Sequence, residues 1–254
     1  MLRNAQSCRA LAGYWLLLLA AALAHGQAAA QPNLPVAAAA LVSPALVSVA
    51  DLNLQTQLPP WPAPDSLAAQ ADLQTVLALQ LHRSQADTLE ATLDAVRGPV
   101  EWAQQVLGPG FQASRFPVTV ALLLAVHEDL RAINRAANTV HAFRPRPPLV
   151  SPQVSPSLAL GTPSSSYPSA RTAATAVWAN VLAQVFTAQG PALQAAADRS
   201  AWLRLVGGVH FPTDLAGGRV VAAAAVSALA KQAAFQQRLA AAQREAQAAV
   251  TPAL

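Results

Sequence analysis

Apolar residues recur along most of this chain at helical intervals, and strand-like alternation of polar and apolar positions is scarce. After Asp65, the residues Leu73, Val76, Leu77 and Leu81 fall on one face at spacings of three to four, which predicts an amphipathic helix. Ser84 offers an N-cap for a second helix, whose predicted buried stripe is Leu89, Leu93 and Val96. Gly98-Pro99 ends that helix and opens a short one through Trp102 and Val106, closed by Gly108-Pro109-Gly110. Pro117 suits the first position of a long helix, with a stripe of Leu122, Val126, Leu130, Ile133, Ala137 and Val140. Arg144-Pro145-Arg146-Pro147-Pro148 terminates it, because proline removes a backbone donor and clashes with the preceding turn. A Pro/Ser-rich loop over residues 149–166 follows, long enough to be either functional or disordered. Three further helices are predicted at about 168–187, 191–205 and 212–249, with Gly207-Gly208 breaking the chain between the last two. The alanine-rich tail, with Arg238, Arg244 and Glu245, reads as a solvated helix.

Composition sharpens this picture. Hydrophobic residues make up 54% of the 254 positions and charged ones only 11%, with alanine, the best helix former, dominant. The expected fold is all-α, a single bundle around five or six core helices, and the length suits one domain. Arg3 and Arg9 precede an apolar stretch at residues 11–24 that is too short for a comfortable membrane span and is followed by small residues. This pattern predicts an export signal over residues 1–26, cleaved near Gly26 or within 28–30, and hence a secreted or periplasmic bacterial protein. Residues 27–65 are an Ala/Pro-rich lead-in expected to pack through Trp61, and residues 66–254 form the helical domain. Cys8 falls inside the signal, so the mature chain carries neither thiol nor disulfide, and a core of this size stands without one.

Charge and hydropathy narrow the function classes. The formal charge of +4 falls to +2 without Arg3 and Arg9, and the remaining arginines form no basic run with interleaved aromatics, which argues against nucleic-acid binding. No apolar run of membrane-spanning length follows the signal, which argues against a multi-span membrane enzyme. The apolar composition leaves room for an oligomer.

Three local strings carry candidate chemistry: Arg144-Pro145-Arg146-Pro147 after the long helix, Ser166-Tyr167-Pro168-Ser169-Ala170-Arg171-Thr172 at the start of another, and residues 204–214, from Arg204 through Gly207-Gly208-Val209-His210 to Asp214. Arginine offers a fork of donors matched to phosphate oxygens. A serine opening a helix supplies a hydroxyl beside free backbone N–H groups, where the helix dipole favours an anion. His210 and Asp214 lie one turn apart, so the carboxylate can fix the imidazole tautomer and stabilise its cation. An imidazole so held is a competent nucleophile toward phosphorus. Each string alone is commonplace: a helix end, a cap, a surface pair.

In order and spacing the strings resemble the three-part signature of the phosphatidic acid phosphatase type 2 and vanadium haloperoxidase superfamily, K-x6-R-P, P-S-G-H and S-R-x5-H-x3-D. Residues 166–214 look most like the bacterial class A nonspecific acid phosphatases, and the pattern from Leu73 through Pro147 is similar too. The resemblance implies that Arg146 and Arg204 hold phosphate oxygens, and that Ser169 lines the same oxyanion pocket with the backbone of Ala170 and Arg171. It also implies that His210 attacks phosphorus to form a phosphohistidine, and that Asp214 orients it. Hydrolysis in this superfamily needs no metal or other cofactor, and vanadate can occupy the phosphate site. The implied activity is a phosphomonoesterase acting on a small phosphorylated substrate.

The sequence departs from the signature at two chemically important positions. Thr139 stands where the motif has lysine, and the chain's one lysine is Lys231, in the tail. Arg171 stands where the motif has the histidine that protonates the leaving oxygen, and arginine does not shuttle protons near neutrality. General acid catalysis is worth about 10²–10⁴-fold, a loss felt by an alkoxide leaving group and barely by a phenolate. Milder changes are Leu203 for serine and Ala170 for glycine. His141, near the end of the long helix, is the one substitute acid to suspect. The alternative is a catalytically inactive homologue that binds an oxyanion or a protein partner.

Overall fold

With alanine at so many positions and proline confined largely to the breaks, the described residues fold into helices whose connections range from short turns to the long Pro/Ser-rich segment between Val150 and Ala170. The computed structural model describes residues 45–161 and 163–250, so the expected export signal, Cys8 and the first part of the lead-in lie outside the described residues. Among those residues there is no strand. The helices are α1 Leu54–Gln57, α2 Leu67–His82, α3 Gln85–Val96, α4 Pro99–Leu107, α5 Pro117–Ala137, α6 Pro147–Val150, α7 Ala170–Val185, α8 Gly190–Val206, α9 Pro212–Leu229 and α10 Ala233–Val250. The all-α expectation holds.

Helix α7 is the centre, packed against α4, α5, α8, α9 and α10, with ten of its sixteen residues buried. Small side chains make that possible. A Cβ at Gly217 would meet the Tyr167 ring at 2.4 Å, and one at Gly218 would meet the Ser169 carbonyl oxygen at 2.6 Å. The two glycines therefore let α9 approach the segment that opens α7. Helix α8 carries α3 and α2 on its outer side, and Trp102 and Trp178 meet in the core with ring centroids 5.8 Å apart.

Several expectations need correction. The stripe Leu89, Leu93 and Val96 of α3 is 61%, 44% and 80% exposed, and the buried residues of that helix are Ala91 and Asp94. The helix is turned so that Asp94 reaches buried arginines, which outweighs hiding three aliphatic side chains. On α2, Val76 is buried, Leu73 and Leu77 are half-buried, and Leu81 is exposed. The lead-in is held by more than Trp61: Leu46, Val47, Leu52, Leu54 and Leu58 join the main core, and Asp129 accepts the Leu46 and Val47 N–H groups at 2.7 and 3.0 Å. The last helix is two, α9 and α10, bent by 90°. The tail is not simply solvated. Phe235, Leu239, Ala242 and Ala246 are buried, and Glu245 accepts the Val118 and Thr119 N–H groups that α5 leaves unpaired at its N-terminus, both at 2.8 Å. Among the described residues no single helix is long and apolar enough to cross a membrane.

Candidate active site

The fold brings the three strings to one cavity of about 470 Å³, lined by Arg146, Arg171, Arg204 and His210 among others. Each arrives by a local device. Pro145 keeps the chain before Arg146 out of a helix and Pro147 opens the short α6 directly after it, so Arg146 sits as the extended N-cap at φ −73° and ψ 157°. Ser169 caps α7 by accepting the Thr172 N–H at 3.3 Å, which places Ala170 and Arg171 in the first turn on the cavity wall. Gly208 takes φ +70°, a left-handed conformation natural to glycine, and so turns the chain sharply from the end of α8 toward His210. Pro212 then starts α9, and Asp214 in its first turn accepts the Phe211 N–H at 2.8 Å.

The geometry fixes the tautomer of His210. Its Nδ1 lies 2.9 Å from the Ser166 carbonyl oxygen and 3.3 Å from Asp214 Oδ2, both acceptors, so Nδ1 carries the proton. Its Nε2 accepts from Arg146 Nη1 at 3.1 Å, so its lone pair points at a guanidinium that lines the cavity. Asp214 itself is fully buried and also receives the Ser166 hydroxyl and, on Oδ1, Arg144 Nη1 at 2.6 Å. Burial pushes the His210 pKa below its ordinary 6.5, helped by Arg146 and Arg204 and opposed by Asp214. The imidazole is thus neutral, and nucleophilic, at neutral pH. Burial raises the Asp214 carboxyl, but the hydrogen bond from His210, the charge of Arg144 and the Phe211 N–H hold it net below the ordinary 3.8.

Three guanidinium groups line the cavity with this imidazole. Arg146 donates to the Val209 carbonyl at 2.9 Å and to Ser164 Oγ at 3.0 Å. Arg204 donates to the Ala91 carbonyl at 3.0 Å and to Asp94 at 3.1 Å, and burial pushes its pKa down to about 10, still charged at neutral pH. The Nε atoms of both are buried with no hydrogen-bond partner, and such donors call for an acceptor. Arg171 grips Asp94 with two nitrogens at 3.0 and 3.2 Å, donates to the Arg97 carbonyl at 2.8 Å and lies over the Trp178 ring. Asp94 also accepts from Ser200 at 2.6 Å, so one carboxylate anchors two of the three arginines.

Other candidates fall elsewhere. The Ser169 hydroxyl does not line the cavity. It is fully buried and serves the first turn of α7, accepting from Thr172 N and Thr172 Oγ1. Thr139 is exposed and its hydroxyl is spent on the Ala136 carbonyl at 2.8 Å, so it does not stand in for the motif lysine. The neighbouring Asn138 lines the cavity instead, with its amide donating to the Tyr167 and Pro168 carbonyls. His141 turns away to the Leu58 carbonyl at 2.8 Å and is no substitute acid. Residues that the sequence did not single out include Arg144, Asp72, Asp94 and Ser166. Buried acidic residues on predicted helix faces were the available signal, since a buried carboxylate requires a charged or hydrogen-bonding partner.

Residues 115–238 match the family model described as the PAP2 superfamily, a span that includes Arg146, Arg171, Arg204, His210 and Asp214 but neither Asp72 nor Asp94. No curated protein matches the chain.

Proposed function

We propose, from the match of residues 115–238 to the PAP2 superfamily, whose members are generally phosphatases, that the chain is a phosphomonoesterase of that superfamily working through a phosphohistidine at His210, with a preference for good leaving groups. The observation that carries this reading is His210 Nε2, unprotonated and directed at a cavity with three guanidinium groups, while Nδ1–H is held from behind by Ser166 and Asp214. Three guanidiniums against the one Asp94 carboxylate leave two net positive charges, matched to a phosphoryl dianion. On substrate entry Arg146 exchanges His210 for a phosphate oxygen, and the unpaired Nε–H groups of Arg146 and Arg204 find acceptors. Nε2 then forms the P–N bond as the P–O bond to the leaving group breaks, and water later cleaves the phosphohistidine. The first-turn N–H groups of α7, at Ala170 and Arg171, face the same oxyanion. The chemistry on this reading uses no metal.

Leaving-group preference follows from the cavity's protic groups. Apart from His210 itself, the described lining residues offer hydroxyls, an amide and arginines, none of which is an acid near pH 7. The leaving oxygen therefore departs as an anion. The same proposal puts this activity outside the cytoplasm, a reading supported by the export pattern expected over residues 1–26.

The test is hydrolysis of an aryl and an alkyl phosphate by the purified protein and by His210→Ala. The expected result is cleavage of the aryl ester alone, abolished in the variant. If well-folded protein cleaves neither yet binds phosphate or vanadate, the oxyanion-binding alternative replaces this reading.

A further inference from the structure

Two arginines stand in Arg144-Pro145-Arg146, and only the second lines the cavity. Arg144 is 3% exposed and lies behind the catalytic pair. Its Nη1 donates to Asp214 Oδ1 at 2.6 Å and Thr213 Oγ1 at 2.7 Å, and its Nη2 donates to Asp72 Oδ2 at 2.7 Å. The guanidinium packs over the Phe211 ring at 4.3 Å and near Trp61 at 5.4 Å, which shields it from water. Its backbone is tied to the same place: Arg144 N donates to Ser165 Oγ at 3.1 Å, and its carbonyl accepts the Ser166 N–H at 2.8 Å. Asp72 in turn accepts both the N–H and the hydroxyl of Thr213. The result is a buried row, Asp72, Arg144, Asp214 and His210, that runs from α2 to the cavity.

We propose that Arg144 is a positioning residue for the His210–Asp214 pair, holding the Asp214 carboxylate in place and setting the charge balance behind the imidazole, with Asp72 as its counterweight. This rests on the reading of His210 as the nucleophile. The charged or titratable groups around Asp214 are Arg144 from the loop after α5, Asp72 from α2, Tyr167 before α7, Arg146 before α6, and His210 itself, with Arg204 from α8 near His210. Among them only Arg144 makes an ion pair with Asp214 apart from His210. Asp214 Oδ2 is engaged by His210, Ser166 and the Phe211 N–H, so Arg144 alone fixes Oδ1. A carboxylate free to rotate about that missing anchor would release the imidazole, and displacement of a reacting group by about 1 Å costs on the order of 10²-fold.

The experiment follows the His210 imidazole by NMR titration and the kcat, KM and phosphate inhibition constant for an aryl phosphate. The proteins compared are the unaltered chain, Arg144→Met, Arg144→Lys and Asp72→Asn. Arg144→Met removes a positive charge, so the His210 titration and the acid limb of activity move to higher pH. Asp72→Asn removes a negative charge, so both move to lower pH. Arg144→Lys keeps the charge but not the fork, so the titration stays while kcat falls by about 10–100-fold. The phosphate inhibition constant stays put in all three, because Arg144 and Asp72 do not line the cavity. General structural damage would not shift the titration in opposite directions in two variants. Shifts in the same direction, no shift, or kcat and phosphate inhibition weakening together would overturn the proposal. Should Arg144→Met fail to fold, Asp72→Asn and Arg144→Lys decide alone. If the unaltered chain shows no phosphatase activity but the titrations still move apart, the role of Arg144 and Asp72 in the charge balance at His210 stands and the phosphatase reading falls.

Discussion

Asp94→Asn isolates the electrostatics of the cavity without changing its shape. The Asp94 side chain is 2% exposed and is held by Arg171, which is 14% exposed, and by Arg204, which is 7% exposed. Removing its charge leaves two like charges in a partly dry site with no counter-ion. Breaking one side of a buried ion pair typically costs about 3–5 kcal/mol. At about 2–4 °C per kcal/mol for a domain of this size, the expected fall in Tm is about 6–20 °C. An oxyanion supplies the missing negative charge, so inorganic phosphate should raise the Tm of the variant more than that of the unaltered protein. A ligand at 100 times its Kd adds about 2.7 kcal/mol, which makes this rescue measurable. Thermal unfolding by circular dichroism, with and without phosphate, is the assay. A loss below about 1 kcal/mol, or an equal phosphate shift in both proteins, would refute the idea that Asp94 compensates an oxyanion pocket.

Arg171→His places an imidazole against the Asp94 carboxylate, which orients it and favours its protonated form; alkyl phosphate hydrolysis should rise by about 10²–10⁴-fold, and no gain would count against the missing-acid explanation. Gly218→Ala forces a Cβ to within 2.6 Å of the Ser169 carbonyl, a backbone atom that cannot yield, and should cost about 1–3 kcal/mol and most activity. Gly190→Ala, whose Cβ meets Ala183 Cβ at an ordinary 3.6 Å, is the control and should be neutral in a denaturant titration. Because folding lowers the His210 pKa, its share of stability is complete above the ordinary 6.5 and is lost as pH falls from there through the folded value. Denaturant midpoints should therefore drop on acidification below about pH 6.5, and the slope should flatten in His210→Ala; parallel curves would contradict the assignment.

The sequence carried the helices and the three strings because both are local properties. Proline and glycine mark the breaks at 98–99, 108–110 and 207–208, and the structure breaks at each, but α5 already ends at Ala137, short of Val140 and Pro145, and Pro147-Pro148 open α6 instead of closing the long helix. What it could not carry was which face of a helix turns inward when a charged residue competes with aliphatic ones. Leu89, Leu93 and Val96 made the stronger periodic signal, yet Asp94 won the interior because Arg171 and Arg204 await it there. The same limit hid Arg144: its string was visible, but two arginines two residues apart look alike until burial sends one behind Asp214 and the other into the cavity. Ser169 was placed correctly as a helix opener, but a hydroxyl can serve either its own helix or a ligand, and here Thr172 takes it. The bend between α9 and α10 lacks a proline or glycine at residues 230–232, so nothing local marked it.

The most direct test of the central claim is to trap the intermediate. The protein is mixed with a phosphorus-labelled aryl phosphate, quenched in alkali, where phosphohistidine survives, and digested for peptide mapping. The expected result is label on Nε2 of His210, absent from His210→Ala. Turnover with no protein-bound label, or label that persists when His210 is replaced, would contradict it.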